Sequence, residues 1–554
     1  MVQSKCYFLK QKPFTFILPL IMRTNNFTSK RGQLSNLFLL LLGSAILTYL
    51  AYYLISNLAF YPTEGAVGGR EVFLKPRYFL AQNDLKSGIF NQWTELFLVT
   101  LAAFILVIFS YFKFCIRQIS FSKFLFWNFI FAFLMEILFL GLTENGFKHL
   151  ELQAISINNG ILRGVQILMD RPDFVNLGFI DRLQYIFQTI GSNDSGYTIP
   201  GTTHPPGIFV IAYFFYAIAS LFDNIGLAWG LLLTFINTFL VVVLGLLTRA
   251  AFSEKAAKLN GVFLLTIPSL CLHFSAMFDV TASLFAAIGI WALSKVIQKI
   301  SDSYSWQWAW KWGFIAGLFF TLAVQMTYGH AIPVLASLVS FVLLCRKATS
   351  FKAVPWLLGL ATTPIIYFII EYLLSSGHSF WPIRAYNIVH IVNQGLQSRP
   401  YPLSQVANWV VMSIMGGLLF LPTALSVLSK KSVSHYISNL LDFLEINNGV
   451  IGTKSSAINL SSRSRVRLFI SWSAILMIFF LIPNTAVRLE VERTWHWLFV
   501  PVWVLMPICF IALRSTIRHL YPSKQTIAKY AILGFLLTQL VISLTLAISI
   551  QDYY

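Results

Sequence analysis

Charge is what this sequence has least of. Only 11% of its 554 residues are Asp, Glu, Lys or Arg, against roughly 25% in an ordinary soluble domain. A chain of this size has too little polar surface here to coat a water-soluble body. Acids are scarcer than bases, 21 against 40, which leaves a formal net charge of +19. Strand signals are also missing: no alternating polar and apolar runs punctuated by turns recur, so a membrane barrel is set aside. Cysteine is sparse, and Cys6, Cys115, Cys271, Cys345 and Cys509 have no metal-ligand spacing, so they read as isolated thiols. No cleavable signal peptide is expected, because the apolar run Phe14–Met22 is short and has no small-residue cleavage site before Arg23.

What is present is apolar: 57% of the residues. Apolar runs fall at 35–59, 93–112, 124–143, 205–222, 226–248, 259–276, 279–296, 312–327, 330–345, 354–375, 405–429, 467–484, 495–513 and 527–548. Many are long enough to cross ~30 Å of hydrocarbon as a helix. In lipid the backbone must bond to itself, so the expected class is all-α, a polytopic transmembrane helix bundle of about 13 spans.

The excess of bases follows the loops, which fits the positive-inside rule better than nucleic-acid binding. Lys5, Lys10, Lys12, Arg23, Lys30 and Arg31 place the N-terminus inside. Further inside loops carry Lys113, Arg117 and Lys123, then Arg249, Lys255 and Lys258, then Lys295, Lys299 and Lys311, and then Arg346, Lys347 and Lys352. The stretch 430–467 and the loop from Arg514 to Lys529 complete that side. Segments 60–92, 145–204, 376–404 and 485–494, with turns at Met277–Asp279 and Tyr328–His330, then face outward. The runs 205–222 and 226–248 join an outside segment to an inside loop, and two full crossings cannot do that. Partial insertion of one of them is expected.

The scarce acids collect in the long outward segment 145–204: Glu151, Asp170, Asp173, Asp181 and Asp194, with Glu144 at its edge. A solvated loop accounts for any single one, but a cluster of charge beside a bilayer is costly unless it is used. Stretches Ile155–Met169 and Ile180–Ile190 are weakly amphipathic and are expected to lie on the membrane face as juxtamembrane helices. The segment ends in Pro200-Gly201-Thr202-Thr203-His204-Pro205-Pro206-Gly207. The paired prolines suit a helix's first turn and hold the chain before them extended, which fixes His204 at a helix mouth.

Two more outward clusters stand out. Segment 485–497 gathers Arg488, Glu490, Glu492, Arg493 and His496 beside Trp495 and Trp497. It reads either as an interfacial ion-pair cluster or as an anion site in which Arg forks onto a phosphate. Segment 376–404 carries His378, Arg384, His390, Arg399 and Tyr401. It is basic although outward, which suits an anionic headgroup or diphosphate. Glu136 lies inside a span, where an interhelical hydrogen bond explains it as well as a function does. Asp279 is placed to cap a helix or to line an outward cavity.

Taken together these motifs resemble the GT-C superfamily of membrane glycosyltransferases, which includes protein mannosyltransferases, oligosaccharyltransferases and lipid A aminoarabinose transferases. They are similar above all to poorly characterised bacterial members. The resemblance is carried in order by Thr203-His204-Pro205-Pro206-Gly207, Thr327-Tyr328-Gly329, Ser398-Arg399-Pro400-Tyr401 with Asn408, and Glu490-Val491-Glu492-Arg493-Thr494-Trp495. It spans about 124–513. It implies an N-terminal region 1–123 with extra spans, a GT-C-like core over 124–345, and a C-terminal transmembrane region over 346–554.

The implied reaction moves a sugar from a polyprenyl-phosphate donor to a glycan, lipid or protein acceptor. It would run on the outer face of a bacterial plasma (inner) membrane. The resemblance gives catalytic positions to Glu144, Asp170 and His204, and substrate contacts to Asp173, Asp279, Tyr328, Arg399, Tyr401, Glu492 and Arg493. The base is Glu144, Asp170 or Asp173. The paired acid usual in the superfamily after the first core span is absent, which leaves a divalent cation possible but unassigned. The rival from another class is a secondary transporter or lipid flippase for an anionic or glycolipid substrate. Against it, no internal repeat is evident and the polar residues gather at one face.

Overall fold

The computed structural model describes residues 93–117, 119–142, 161–189, 205–273, 277–299, 305–345, 354–375, 413, 415–420, 423–424, 496–507, 509–510 and 525–549. Among them every regular element is helical. Helix α1 (Trp93–Ser110) runs straight into a π-helical turn, Tyr111–Ile116, and α2 follows at Phe121–Leu140. Short helices α3 (Ile161–Met169), α4 (Pro172–Val175) and α5 (Phe179–Thr189) lead to α6 (Pro206–Ala219) and α7 (Ile225–Ala251). Next come α8 (Glu254–Leu264), α9 (Pro268–His273), α10 (Phe278–Lys299) and α11 (Trp306–Met326). A 3-10 turn at Tyr328–His330, α12 (Ala331–Cys345), α13 (Val354–Leu374), α14 (His496–Leu505) and α15 (Gln525–Ser549) complete the described elements.

Among the described residues, five stretches are long and apolar enough to cross a membrane: Phe97–Ile116, Phe121–Leu140, Ile225–Ala251, Phe278–Val296 and Val354–Leu374. The chain is therefore a helical membrane protein. Helix starts follow local chemistry. Asn224 Oδ1 accepts from Leu227 N at 2.9 Å, Ser253 Oγ from Ala256 N at 3.2 Å, and Ser305 Oγ from Trp308 N at 3.3 Å, each satisfying an amide the first turn leaves open. Pro206 opens α6 as the sequence predicted. Helix α6 has only 14 residues, or ~21 Å at 1.5 Å per residue, short of a ~30 Å crossing. Helix α7, with 27 residues, exceeds that length, so the run 205–222 is the one that falls short.

One expected span is interrupted. The run 259–276 is not a single helix: α8 stops at Leu264 and α9 starts at Pro268, whose ring leaves no N–H to continue the ladder. The freed Thr266 carbonyl accepts from Ser543 Oγ of α15 at 2.6 Å. A second interruption faces it. Gly417 has φ +94°, and a Cβ there would come within 2.5 Å of Ile267 and 2.8 Å of Phe263. Leu418 N donates to Gln539 Oε1 at 2.6 Å, and Trp503 Nε1 donates to Gly416 O at 3.1 Å. Both breaks are thus bonded by side chains from α14 and α15.

Close backbone approach sets the tightest helix pair, α11 with α13. A Cβ on Gly313 would overlap the Trp356 carbonyl, one on Gly317 the Leu360 carbonyl, and one on Gly359 the Trp310 carbonyl. Small residues at such spacing are how helices pack where lipid offers no hydrophobic drive. The spacing Gly313-x-x-x-Gly317 was readable in the sequence, but its partner was not. Gly317→Leu is expected to lower stability by at least ~2 kcal/mol through overpacking, read as thermal unfolding in micelles. Gly534→Ala, where nothing lies within 4 Å, should leave the transition unchanged or raise it.

Candidate functional site

A second apolar cluster, distinct from the main core, gathers at one end of the bundle. It joins Leu140 at the end of α2, Leu162 and Val165 of α3, Phe209 of α6, Trp229 of α7, Phe278 of α10 and Met326 of α11. These are the ends that charge sorting assigns to the outer side. Helix α3 seats closely on α6: a Cβ on Gly164 would lie 2.8 Å from the Phe209 ring. Helix α6 in turn seats on α11. A Cβ on Gly207 would stand 2.7 Å from Gln325 Cβ and 3.0 Å from its carbonyl oxygen, so position 207 accepts no side chain. The Pro205-Pro206-Gly207 entry is thereby pressed against the residues that immediately precede Thr327-Tyr328-Gly329.

The polar groups at this end fall into sets. Arg182 of α5 donates to the Leu177 carbonyl at 3.0 Å, to Tyr213 Oη of α6 at 2.7 Å and to the Val175 carbonyl, while its guanidinium lies 5.8 Å from the Phe174 ring. This one side chain ties α4 and α5 to α6. Arg171 donates to Tyr185 Oη at 3.0 Å, and Tyr185 Oη donates to Asp173 at 3.3 Å. Asp173 is exposed but engaged. Asp170, just past the end of α3, is exposed, and no side-chain bond engages it among the described residues.

Across the cluster, Asp279 sits half-buried in the first turn of α10. The Ser283 hydroxyl gives its hydrogen to the Asp279 carbonyl at 2.9 Å and stands 3.0 Å from His330 Nε2. With that hydrogen spent, Nε2 carries the hydrogen of the Ser283–His330 bond. Tyr328 opens the same 3-10 turn as the buried His330. Tyr367 Oη donates to Gln325 Oε1 at 2.6 Å, which fixes the side chain against which Gly207 rests. Deeper in the bundle, Asn237 donates to the Met277 carbonyl at 2.9 Å and accepts from Thr281 at 2.6 Å, pinning the start of α10 to α7.

The structure therefore places Asp170 and Asp173 on the α3–α5 cap, and Asp279 and Tyr328 on the α10 and 3-10 rim, all around one apolar cluster. Glu144, His204, Arg399, Tyr401, Glu492 and Arg493 lie outside the described residues. Sequence reasoning passed over Gln325, Ser283, His330 and Arg182. For His330 and Gln325 the one available signal was adjacency to Thr327-Tyr328-Gly329. Among the described residues no three His, Cys, Asp or Glu side chains come together to hold a metal ion, so no step is assigned to one.

Glu136 serves packing. It is fully buried on α2, and both its carboxyl oxygens stand 3.1 Å from the Thr238 hydroxyl of α7. Glu136→Gln keeps that bond and is expected to hold stability within about 1 kcal/mol. Glu136→Ala removes that bond between α2 and α7 and leaves a void, costing ~2 kcal/mol or more. Thermal unfolding of both variants checks this. At the rim, Gly207→Val is expected to push α6 off Gln325 and to raise hydrogen exchange across 205–219 without unfolding α7.

No family model matches the chain, and no curated protein does. Among solved structures, the chain is similar to the oligosaccharyltransferase of Archaeoglobus fulgidus in complex with Zn and sulfate. The TM-score is 0.40 at 11% sequence identity, over 76% of this chain and 53% of that one. The chain spans about half the length of that protein, and a likeness of this degree assigns no residue and no reaction.

Proposed function

We propose that the protein is a membrane glycosyltransferase of GT-C type that moves a sugar from a polyprenyl-phosphate donor to an acceptor at the acid-rich end of the bundle. The observation that carries this reading is the seating of Gly207 against Gln325. It joins the mouth of the His-Pro-Pro-Gly helix to the Thr-Tyr-Gly turn, two motifs 120 residues apart in sequence numbering (207 and 327). The short helices α3 to α5, which carry or flank Asp170, Asp173 and Asp181, rest on the same helix.

The chemistry asks for a base at the acceptor hydroxyl and for positive charge on the departing phosphate. Glu144, Asp170 or Asp173 supplies the base. Asp173 already holds Tyr185, which leaves Asp170 the freer of the two described acids. Arg493 and Arg399 would take the phosphate, with Glu492 and Tyr401 beside them. His204, fixed by the prolines that follow it, would hydrogen-bond donor or acceptor. Asp279 and Tyr328 would line the acceptor side.

Transfer of labelled sugar from polyprenyl-phosphate donors by the purified protein in vesicles tests the scheme. Glu144→Gln or Asp170→Asn is expected to lower turnover ~10²–10⁴-fold, the range for a lost general base. Arg493→Ala is expected to cost ~10²-fold or more, as loss of charge stabilisation does. Full activity in all three variants would sink it.

The facing breaks at Leu265–Ile267 and Gly417 favour a second reading, a transporter or flippase, because interrupted helices build cargo sites in such proteins. Their carbonyls at Thr266 and Gly416 are already bonded by Ser543 and Trp503, which leaves little for a cargo. Substrate flux across vesicles without sugar transfer would favour this reading over the first.

A further inference from the structure

The end of the bundle opposite the candidate site has a different character. There α1, the π-helical turn, α2, α7 and α8 meet, and the charged side chains are almost all cations. Lys113, Arg117, Lys123, Arg249 and Lys255 have no acidic partner among the described residues; Glu254 is taken by Lys258 at 2.6 Å. Lys258 also donates to the Ile119 carbonyl at 2.5 Å, tying the loop before α2 to α8. Lys113 stands over aromatic rings instead of an acid. Its Nζ lies 4.1 Å from the centroid of the Trp127 ring and 5.0 Å from that of Phe109. The widened turn Tyr111–Ile116 bears that lysine, and π-turns inside helices often mark working positions. Lys123 precedes Trp127 by one helical turn and is exposed beside it.

Below these cations the surface is apolar and open. Phe109, Phe112, Ile116, Phe126 and Trp127 are 49, 39, 39, 60 and 37% exposed. Unpaired cations above an exposed apolar wall match a molecule with an anionic head and hydrocarbon tails. We propose that this rim is a binding site for an anionic phospholipid. Its headgroup is held by Lys113, Arg117 and Lys123, and its acyl chains lie along the face of α1 and α2. The aromatic rings keep Lys113 in place without neutralising it, so its charge stays available to the phosphate.

The test uses the full protein in vesicles of mixed phosphatidylglycerol and phosphatidylcholine, extracted into detergent, with retained lipid counted by native mass spectrometry. Wild-type protein is expected to retain phosphatidylglycerol in clear excess of its share of the vesicle. The Lys113→Gln, Lys123→Gln double variant should lower that preference ~25-fold, about fivefold per cation beside an anionic headgroup. A Lys311→Gln control, on α11 and outside this rim, should leave it unchanged. Trp127→Leu removes no charge and should weaken retention by itself, which decides the matter if the double variant does not fold. Retention of both lipids in their vesicle ratio, a double variant or Trp127→Leu that retains like wild type, or a control that falls equally overturns the proposal. So does displacement of the lipid by glycerol phosphate at the same concentration, which would mark a soluble-anion site.

Discussion

A peptide group inside hydrocarbon finds no water, so each N–H and C=O must be bonded by the protein itself, and leaving one open costs several kcal/mol. The rest of the structure depends on that constraint. Among the described residues it makes every regular element a helix. It also dictates how the chain handles the places where a helix stops. Pro268 ends a ladder, and Ser543 reaches from α15 to take the Thr266 carbonyl. Gly417 turns left-handed, and Gln539 and Trp503 take the amide and carbonyl on either side. The two interruptions lie against each other, so one set of polar side chains from α14 and α15 serves both.

Buried polar residues elsewhere follow the same economy. Thr234, Thr238, Thr248, Ser283 and Ser340 each give their hydroxyl hydrogen to the carbonyl one turn back. A hydroxyl that is satisfied within its own helix can still accept from a neighbour. That is how Thr248 receives Asn260 at 3.0 Å, and how Ser283 receives His330. These bonds hold α7, α8 and α10 in register where apolar burial alone gains nothing over lipid. Glycine does the steric half of the same work at Gly207, Gly313, Gly317 and Gly359, where helices touch at the backbone.

The result is a bundle with two unlike ends. At one, short helices cap an apolar cluster; the Arg171–Tyr185–Asp173 ladder ties them to one another, and Arg182 locks them onto α6 through Tyr213. At the other, cations outnumber acids and rest on rings or stand exposed above bare apolar walls. The asymmetry seen in the loop charges thus has a physical counterpart in the packing of both ends.

Helix content, membrane residence, the acid-rich segment and the proline entry at Pro206 were all legible from the sequence, because hydropathy and proline geometry act over a few residues. The sequence also exposed the parity conflict at 205–248, and of the two helices there α6, with 14 residues, is the one shorter than a full crossing. The broken run 259–276 escaped it: a lone Pro268 in an apolar stretch is compatible with a kinked span, and what permits a full break is the bond to the Thr266 carbonyl from Ser543, 277 residues from Thr266. Glu136 stayed ambiguous until Thr238 appeared beside it. His330 and Gln325 were invisible as site residues because their meaning lies in what they touch, Ser283, Tyr367 and the bare Cα of Gly207. Local chemistry determined that this chain is a helical membrane protein with one acidic and one basic side. Only tertiary structure decided which helices approach to backbone contact and which motifs share an end, since those depend on pairings between distant residues that no local pattern encodes.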